Sequence, residues 1–244
     1  MNVCGKSESH MFSPKELEPI EKYYLMLLYA PDARGKLAQP ISGRTWCQKE
    51  LFVLSKHIPE LGESTDYTPY IMGSYSEVVE ELQDQFYISG FTEMTNGSIK
   101  LSPEGKKLAE ATWMTADEKE QKVVSYVKTL LNDLSYLELL GLVYTEFPDS
   151  ATKSEMRQAV DSKRHEIAAQ LFRKGKVSLA KAAGIANMLP QEFSKVLEDR
   201  GIDLAEPEEN SILNDAALLQ EIESSRRDSE AGRLVPWKKV ETNR

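Results

Sequence analysis

Cysteine and histidine are scarce: the chain of 244 residues has two cysteines, Cys4 and Cys47, and three histidines, His10, His57 and His165. The cysteines form no CxxC and have no histidine nearby, and the histidines are scattered singly, so neither a zinc site nor a disulfide framework is indicated. There is no His–acid–nucleophile grouping. The one glycine-flanked stretch with a lysine, GKLAQPISG, lacks the Gly-Lys-Ser/Thr spacing that cradles phosphate. Catalysis and cofactor binding therefore have no anchor, and the expectation is a non-enzyme with no cofactor. Long apolar runs are missing too. The longest, Tyr23 to Ala30, is too short to span a bilayer, and no basic-then-apolar signal opens the chain, so the expected compartment is the cytoplasm. Base is outnumbered by acid, 30 to 39, and a net charge of −9 argues against an unspecific coat for nucleic acid.

The deficit is uneven. Residues 153–200 carry ten Lys/Arg against six Asp/Glu, while residues 1–152 carry fourteen against twenty-three. Phosphate neutralisation is local, so a basic segment inside an acidic chain is where DNA contact is sought, although +4 over such a length is also an ordinary solvated surface.

Periodicity organises the rest. Residues 1–16 have none and read as a disordered leader. Leu17, Ile20, Tyr24, Leu27 and Leu28 repeat at helical spacing, and Thr45 can cap a second helix to about His57. Ser74 or Ser76 caps a third, from about Glu77 to Ser89, with Val78, Val79, Leu82, Phe86 and Tyr87 as its core face. Asn96-Gly97 between short apolar runs predicts a β-hairpin, and Pro103 begins another helix. A long helix from Thr115 to about Leu134 and a short one over Tyr136 to Leu140 follow. Val143 to Phe147 has strand composition, and Pro148-Asp149-Ser150 reads as a linker. The expected fold is mainly α: a winged-helix-like domain with a small β-hairpin at 17–148, a helix-turn-helix unit at 152–204 and an extended or helical tail at 205–244.

Three segments, RTWCQKELFVLSKHI, YTPYIMGSYSEVVEELQDQFYISGFTE and SIKLSPEGKKLAE, carry a resemblance. Gln48-Lys49 with Phe52, then Tyr70, Gly73, Tyr75 and Ser76, then Gly90-Phe91, resemble the motifs of the Panacea-type antitoxin domain, with Ser74 where that pattern has Pro. The resemblance implies a winged-helix antitoxin domain. Taken singly, the same residues read more simply as exposed helix surface at Gln48-Lys49 and as core at the tyrosines.

Residues 174–204 read as a helix-turn-helix. A helix from Ser154 to Phe172 precedes it, Ser178 caps LAKAAGIA, Asn187 suits a left-handed turn, Pro190 starts the second helix and Gly201 ends it. Gly175, Lys176, Val177, Ser178, Leu179, Ala182, Ala183, Ala186, Met188, Phe193, Leu197, Gly201 and Ile202 fall on the pattern of a family of small antitoxin-like proteins, which this stretch resembles; Phe172, Gly184 and Asn187 depart from it. The resemblance implies a regulator encoded beside a PIN-domain ribonuclease toxin. In a DNA reading, Gln191, Ser194 and Lys195 would face base edges, and Lys174, Lys176, Ser178 and Lys181 would reach phosphates of the chain's own promoter. Glu192, Glu198 and Asp199 on the same helix oppose it, and the alternative is a trihelical scaffold for homodimerisation or for docking a partner.

Beyond Pro207, Ile212, Leu213, Ala216, Leu219 and Ile222 repeat at helical spacing, and GRLVPW follows at 232–237. This resembles the toxin-neutralising tails of short antitoxins, which implies coupled folding and binding with Leu234, Val235 and Trp237 as anchors. The alternative is a tail that folds back on its own chain. Two functions follow from these readings: an antitoxin of a type II toxin–antitoxin pair that also represses its own promoter, or a stand-alone helix-turn-helix regulator without a toxin.

Overall fold

A computed structural model describes residues 16–204. The leader, apart from Glu16, and the whole tail with Leu234, Val235 and Trp237 lie outside the described residues. The described part is mainly helical with two small β-hairpins, and it falls into two compact units. Residues 16–51, 64–66 and 76–133 form one; residues 52–63, 67–75 and 134–204 form the other. No described helix is long and apolar enough to cross a membrane.

The first unit is built on α1 (Pro19–Tyr29), which is buried nearly all round from Tyr23 to Ala30, as a helix without a polar face must be. Tyr24 meets Phe86 of α4 (Glu77–Ile88) edge-on at 5.2 Å, and Tyr29 lies 6.1 Å from Trp113 of α5 (Pro103–Thr115). The first turns of α2 (Arg44–Ser55) and all of α6 (Glu118–Leu131) belong to this unit as well. Ser76 and Ser102 cap α4 and α5 by accepting from Val79 N–H and Gly105 N–H. Between them β3 (Thr92–Thr95) pairs with β4 (Ser98–Leu101), and Asn96 and Gly97, both at positive φ, make the two-residue turn the sequence predicts. Ile41 adds a bridge on the far side of β4, exchanging both backbone hydrogen bonds with Ile99 at 2.9 Å.

Two corrections fall in this unit. The core stripe of α4 is Val79, Leu82, Gln83 and Phe86, the i, i+3, i+4, i+7 set that follows from the Ser76 cap. Val78 and Tyr87 lie off that stripe and are exposed. Gln48 and Lys49 are also buried rather than surface. The Gln48 amide clamps the backbone of Ser76, donating to its carbonyl at 2.9 Å and accepting from its N–H at 3.2 Å.

In the second unit, the end of α2 with α3 (Pro59–Glu63) supplies Phe52, whose ring meets Tyr67 and Phe147 edge-on at 5.1 Å. A second hairpin, β1 (Thr68–Tyr70) with β2 (Gly73–Tyr75), was not signalled by the sequence. Its Gly73 needs φ +84 and sits so near Tyr144 that a Cβ would fall 2.7 Å from the ring. Tyr70, expected as core, is half exposed. The segment Val143 to Phe147 is not a strand. It continues α7 (Tyr136–Glu146), because Leu139, Leu140, Leu142 and Val143 are all buried and that burial overrides β propensity. Pro148–Ala151 is a turn of 3-10 helix with Ser150 and Ala151 buried, not an exposed linker.

The helix expected over Ser154 to Phe172 is two, α8 (Arg157–Ser162) and α9 (Arg164–Arg173). At the break, Arg164 turns back on Asp161, its Nε donating to the carbonyl at 3.3 Å and its Nη2 to the carboxylate at 2.5 Å. A side chain that takes a backbone acceptor competes with the helix ladder.

Candidate functional site

The helix-turn-helix forms because its punctuation is local. α9 ends at Gly175, α10 (Leu179–Ala186) at Asn187 and α11 (Pro190–Asp199) at Gly201, with φ of 65, 57 and 66. Each end closes in the same way: Lys176 N–H donates to Leu171 O, Met188 N–H to Ala183 O and Ile202 N–H to Leu197 O, at 2.9 to 3.0 Å. A left-handed residue after the last turn makes that long-range closure possible. Ser178 Oγ accepts from Lys181 N–H at 3.3 Å, and the Glu192 carboxylate accepts from Leu189 N–H at 3.2 Å, so α10 and α11 are both capped at their starts. Ala182 and Ala183 are fully buried, letting α9 and α11 pack close to α10, and Phe193 and Leu197 fill the other side.

The residues proposed to meet DNA differ in exposure and in what already engages them. Lys174 pairs with Glu138 of α7, Nζ to Oε2 at 2.6 Å, and Lys181 pairs with Glu146 of the same helix. Lys176 is buried, only 7% exposed. The Ser178 hydroxyl is the α10 cap, and the Ser194 hydroxyl donates to Pro190 O one turn back at 2.9 Å. Gln191 and Lys195 are exposed, as are Glu192, Glu198 and Asp199 of the same helix.

Glu138 and Glu146 are the residues that sequence reasoning missed. Burial works to raise the Glu138 carboxyl, but the Lys174 ammonium and the Ser135 donors together hold it below its ordinary value. It is thus an anion at neutral pH and keeps Lys174 occupied. The signal for both was two acids two turns apart on one helix. Reading Val143 to Phe147 as a strand hid it.

Residues 143–221 match the model of an uncharacterised protein family, UPF0175. The UPF0175 match begins in the last turn of α7, takes in α8 to α11 and continues past Leu204, so it covers the helix-turn-helix together with the first part of the tail. No curated protein and no solved structure matches the chain.

Proposed function

We propose that the chain is the antitoxin of a type II toxin–antitoxin pair and that it acts chiefly by holding a protein partner. The observation that carries this reading is the pairing of Lys174 and Lys181 with Glu138 and Glu146, together with the burial of Lys176. Those lysines lie within the matched residues 143–221 and are engaged, two of them by acids of α7, and the exposed charges of α11 are one lysine, Lys195, against Glu192, Glu198 and Asp199. An acid-rich helix repels phosphate and suits a protein surface better. The match to UPF0175 supports the same reading, because it runs beyond the three-helix unit into the segment that leads to Leu234, Val235 and Trp237.

The partner is a toxin protein, for which a PIN-domain ribonuclease is the candidate, captured by the apolar strip at 234–237. Capture of the neighbouring gene's product by the full chain is the test. Trp237→Ala removes an aromatic anchor worth about 2–4 kcal/mol and should weaken capture roughly thirty- to a thousandfold. Equal capture by wild type and variant would overturn the assignment of the strip.

A second reading is a stand-alone transcriptional regulator, or autorepression added to the antitoxin role. The turn geometry favours it: Asn187 is left-handed, Pro190 starts α11, and Gln191 and Lys195 are exposed on that helix.

A further inference from the structure

Among α7, α8, α9 and α10 lies a pocket of about 230 Å³ that none of these roles uses. Val160, Ile167 and Ile185 line it with apolar side chains, and Arg157 and Arg164 border it. Asp161 stands between the arginines, 2.5 Å from Arg164 Nη2 and 3.8 Å from Arg157 Nε. Two guanidiniums share one carboxylate, so the border is net positive and has donors to spare.

Gly184 is the second observation. It lies in the middle of α10 on the pocket wall, and a Cβ built there meets nothing within 4 Å. A glycine inside a helix costs roughly 0.5–1 kcal/mol relative to alanine. Nothing among the described residues requires that glycine, yet it keeps the wall clear.

We propose that residues 212–222 of the same chain seat their apolar stripe on this pocket, with their carboxylates against Arg157 and Arg164. Ile212, Ala216, Leu219 and Ile222 supply the stripe. From Ala205 to Ser225 the chain has six acidic residues and no lysine or arginine, which complements the arginine border. The eight residues from Leu204 to Ile212 span up to about 26 Å, enough to travel around a small helical unit. The UPF0175 match takes in the α8, α9 and α10 walls and ends at residue 221, within this segment, so wall and segment belong to one family unit. The tail is then bipartite: its first half is tethered to the body, and the strip at 234–237 is left for a partner.

Hydrogen exchange of the full chain, read by mass spectrometry, tests this. Peptides covering 212–222 should be protected at least tenfold over an unstructured reference. Gly184→Phe fills the pocket and raises helix propensity. It should remove that protection while leaving α9 and α11 as protected as before. Leu219→Asp should do the same from the other side, and Arg157→Ala with Arg164→Ala should lower protection several-fold. Trp237→Ala should leave it unchanged, so failure of the partner assignment and failure of the tether are separable. Exchange of 212–222 at the unstructured rate in wild type, protection that survives Gly184→Phe, or protection that grows with protein concentration would each overturn a seat within one chain.

Discussion

Both units commit lysines to partners within the fold, and they do so by different means. In the first, Lys128 is fully buried and its Nζ donates to Leu28 O, Ala30 O and Gln39 O at 3.1, 2.9 and 3.0 Å, pinning the loop after α1 from beneath. Four residues on, Asn132 donates to Pro40 O and accepts from Ser42 N–H, both at 2.9 Å, and finishes the closure. Burial lowers the Lys128 ammonium to about 8, against the raising effect of Glu50 and Asp32. Here the lysine is an internal strut. In the second unit Lys174 and Lys181 stay near the surface but are matched by Glu138 and Glu146. One device fixes a loop; the other discharges a face. The lesson is that a lysine count in a segment is not the charge that segment offers to a ligand.

The comparison breaks first at Lys128. Lys128→Met takes this donor from three carbonyls, two of them on buried residues, and should lower stability by about 3 kcal/mol, read by urea unfolding. The next effect belongs to Glu50, fully buried beside that lysine, with both carboxyl oxygens lacking a hydrogen-bond partner among the described residues. Burial raises its carboxyl well above the ordinary range, only partly opposed by Lys128. A raised folded value means stability that is present below the unfolded value of about 4.3 and is lost as pH rises through the folded value. Glu50→Gln should therefore match or exceed wild-type stability at neutral pH, and its advantage should shrink as pH falls towards about 4.3. Unfolding curves for both proteins across pH measure that difference.

Smaller effects are expected in the second unit. Lys174→Met strands the mostly buried Glu138 carboxylate and should lower stability by about 1–3 kcal/mol at neutral pH. Glu138 titrates below its ordinary value, so this difference should fade as pH drops through the folded value of that carboxyl. Lys181→Met breaks a pair in which both side chains are about two-fifths exposed, and should change stability by less than about 1 kcal/mol. A loss at Lys181 as large as that at Lys128 would erase the distinction between strut and discharged face.

What the sequence made legible was chemistry carried by neighbours. Ser76, Ser102 and Ser178 cap the helices they precede, Asn96-Gly97 turns the hairpin, and Asn187, Pro190 and Gly201 punctuate the helix-turn-helix. Each acts within four residues, so a single sequence displays it. What was hidden depends on distance. Val143, Tyr144, Thr145 and Phe147 have strand composition, and it is the burial of Val143 and Tyr144 with Leu139, Leu140 and Leu142 in the second unit that makes α7 run through to Glu146. The β1–β2 hairpin turns through Ile71 and Met72 with no Asn-Gly signal, held by hydrogen bonds to Ile71 O from Glu155 N–H at 3.0 Å and Ser154 Oγ at 3.2 Å. The partners of Lys174 and Lys181 lie more than thirty residues upstream. The helix-turn-helix shape could be read directly. Its state of charge could not.

That state of charge is the central claim, and the salt dependence of DNA binding measures it most directly. Anisotropy titrations on the chain's own upstream DNA should give wild type weak binding, with a slope of log K on log salt near about −1 per chain, the contribution of Lys195. Glu138→Gln with Glu146→Gln releases Lys174 and Lys181 and should steepen the slope by up to about 2 and tighten binding at low salt. A wild-type slope of about −4, unchanged in the double variant, would mean that the lysines already face phosphate and would contradict the pairing as the determinant of what this unit binds.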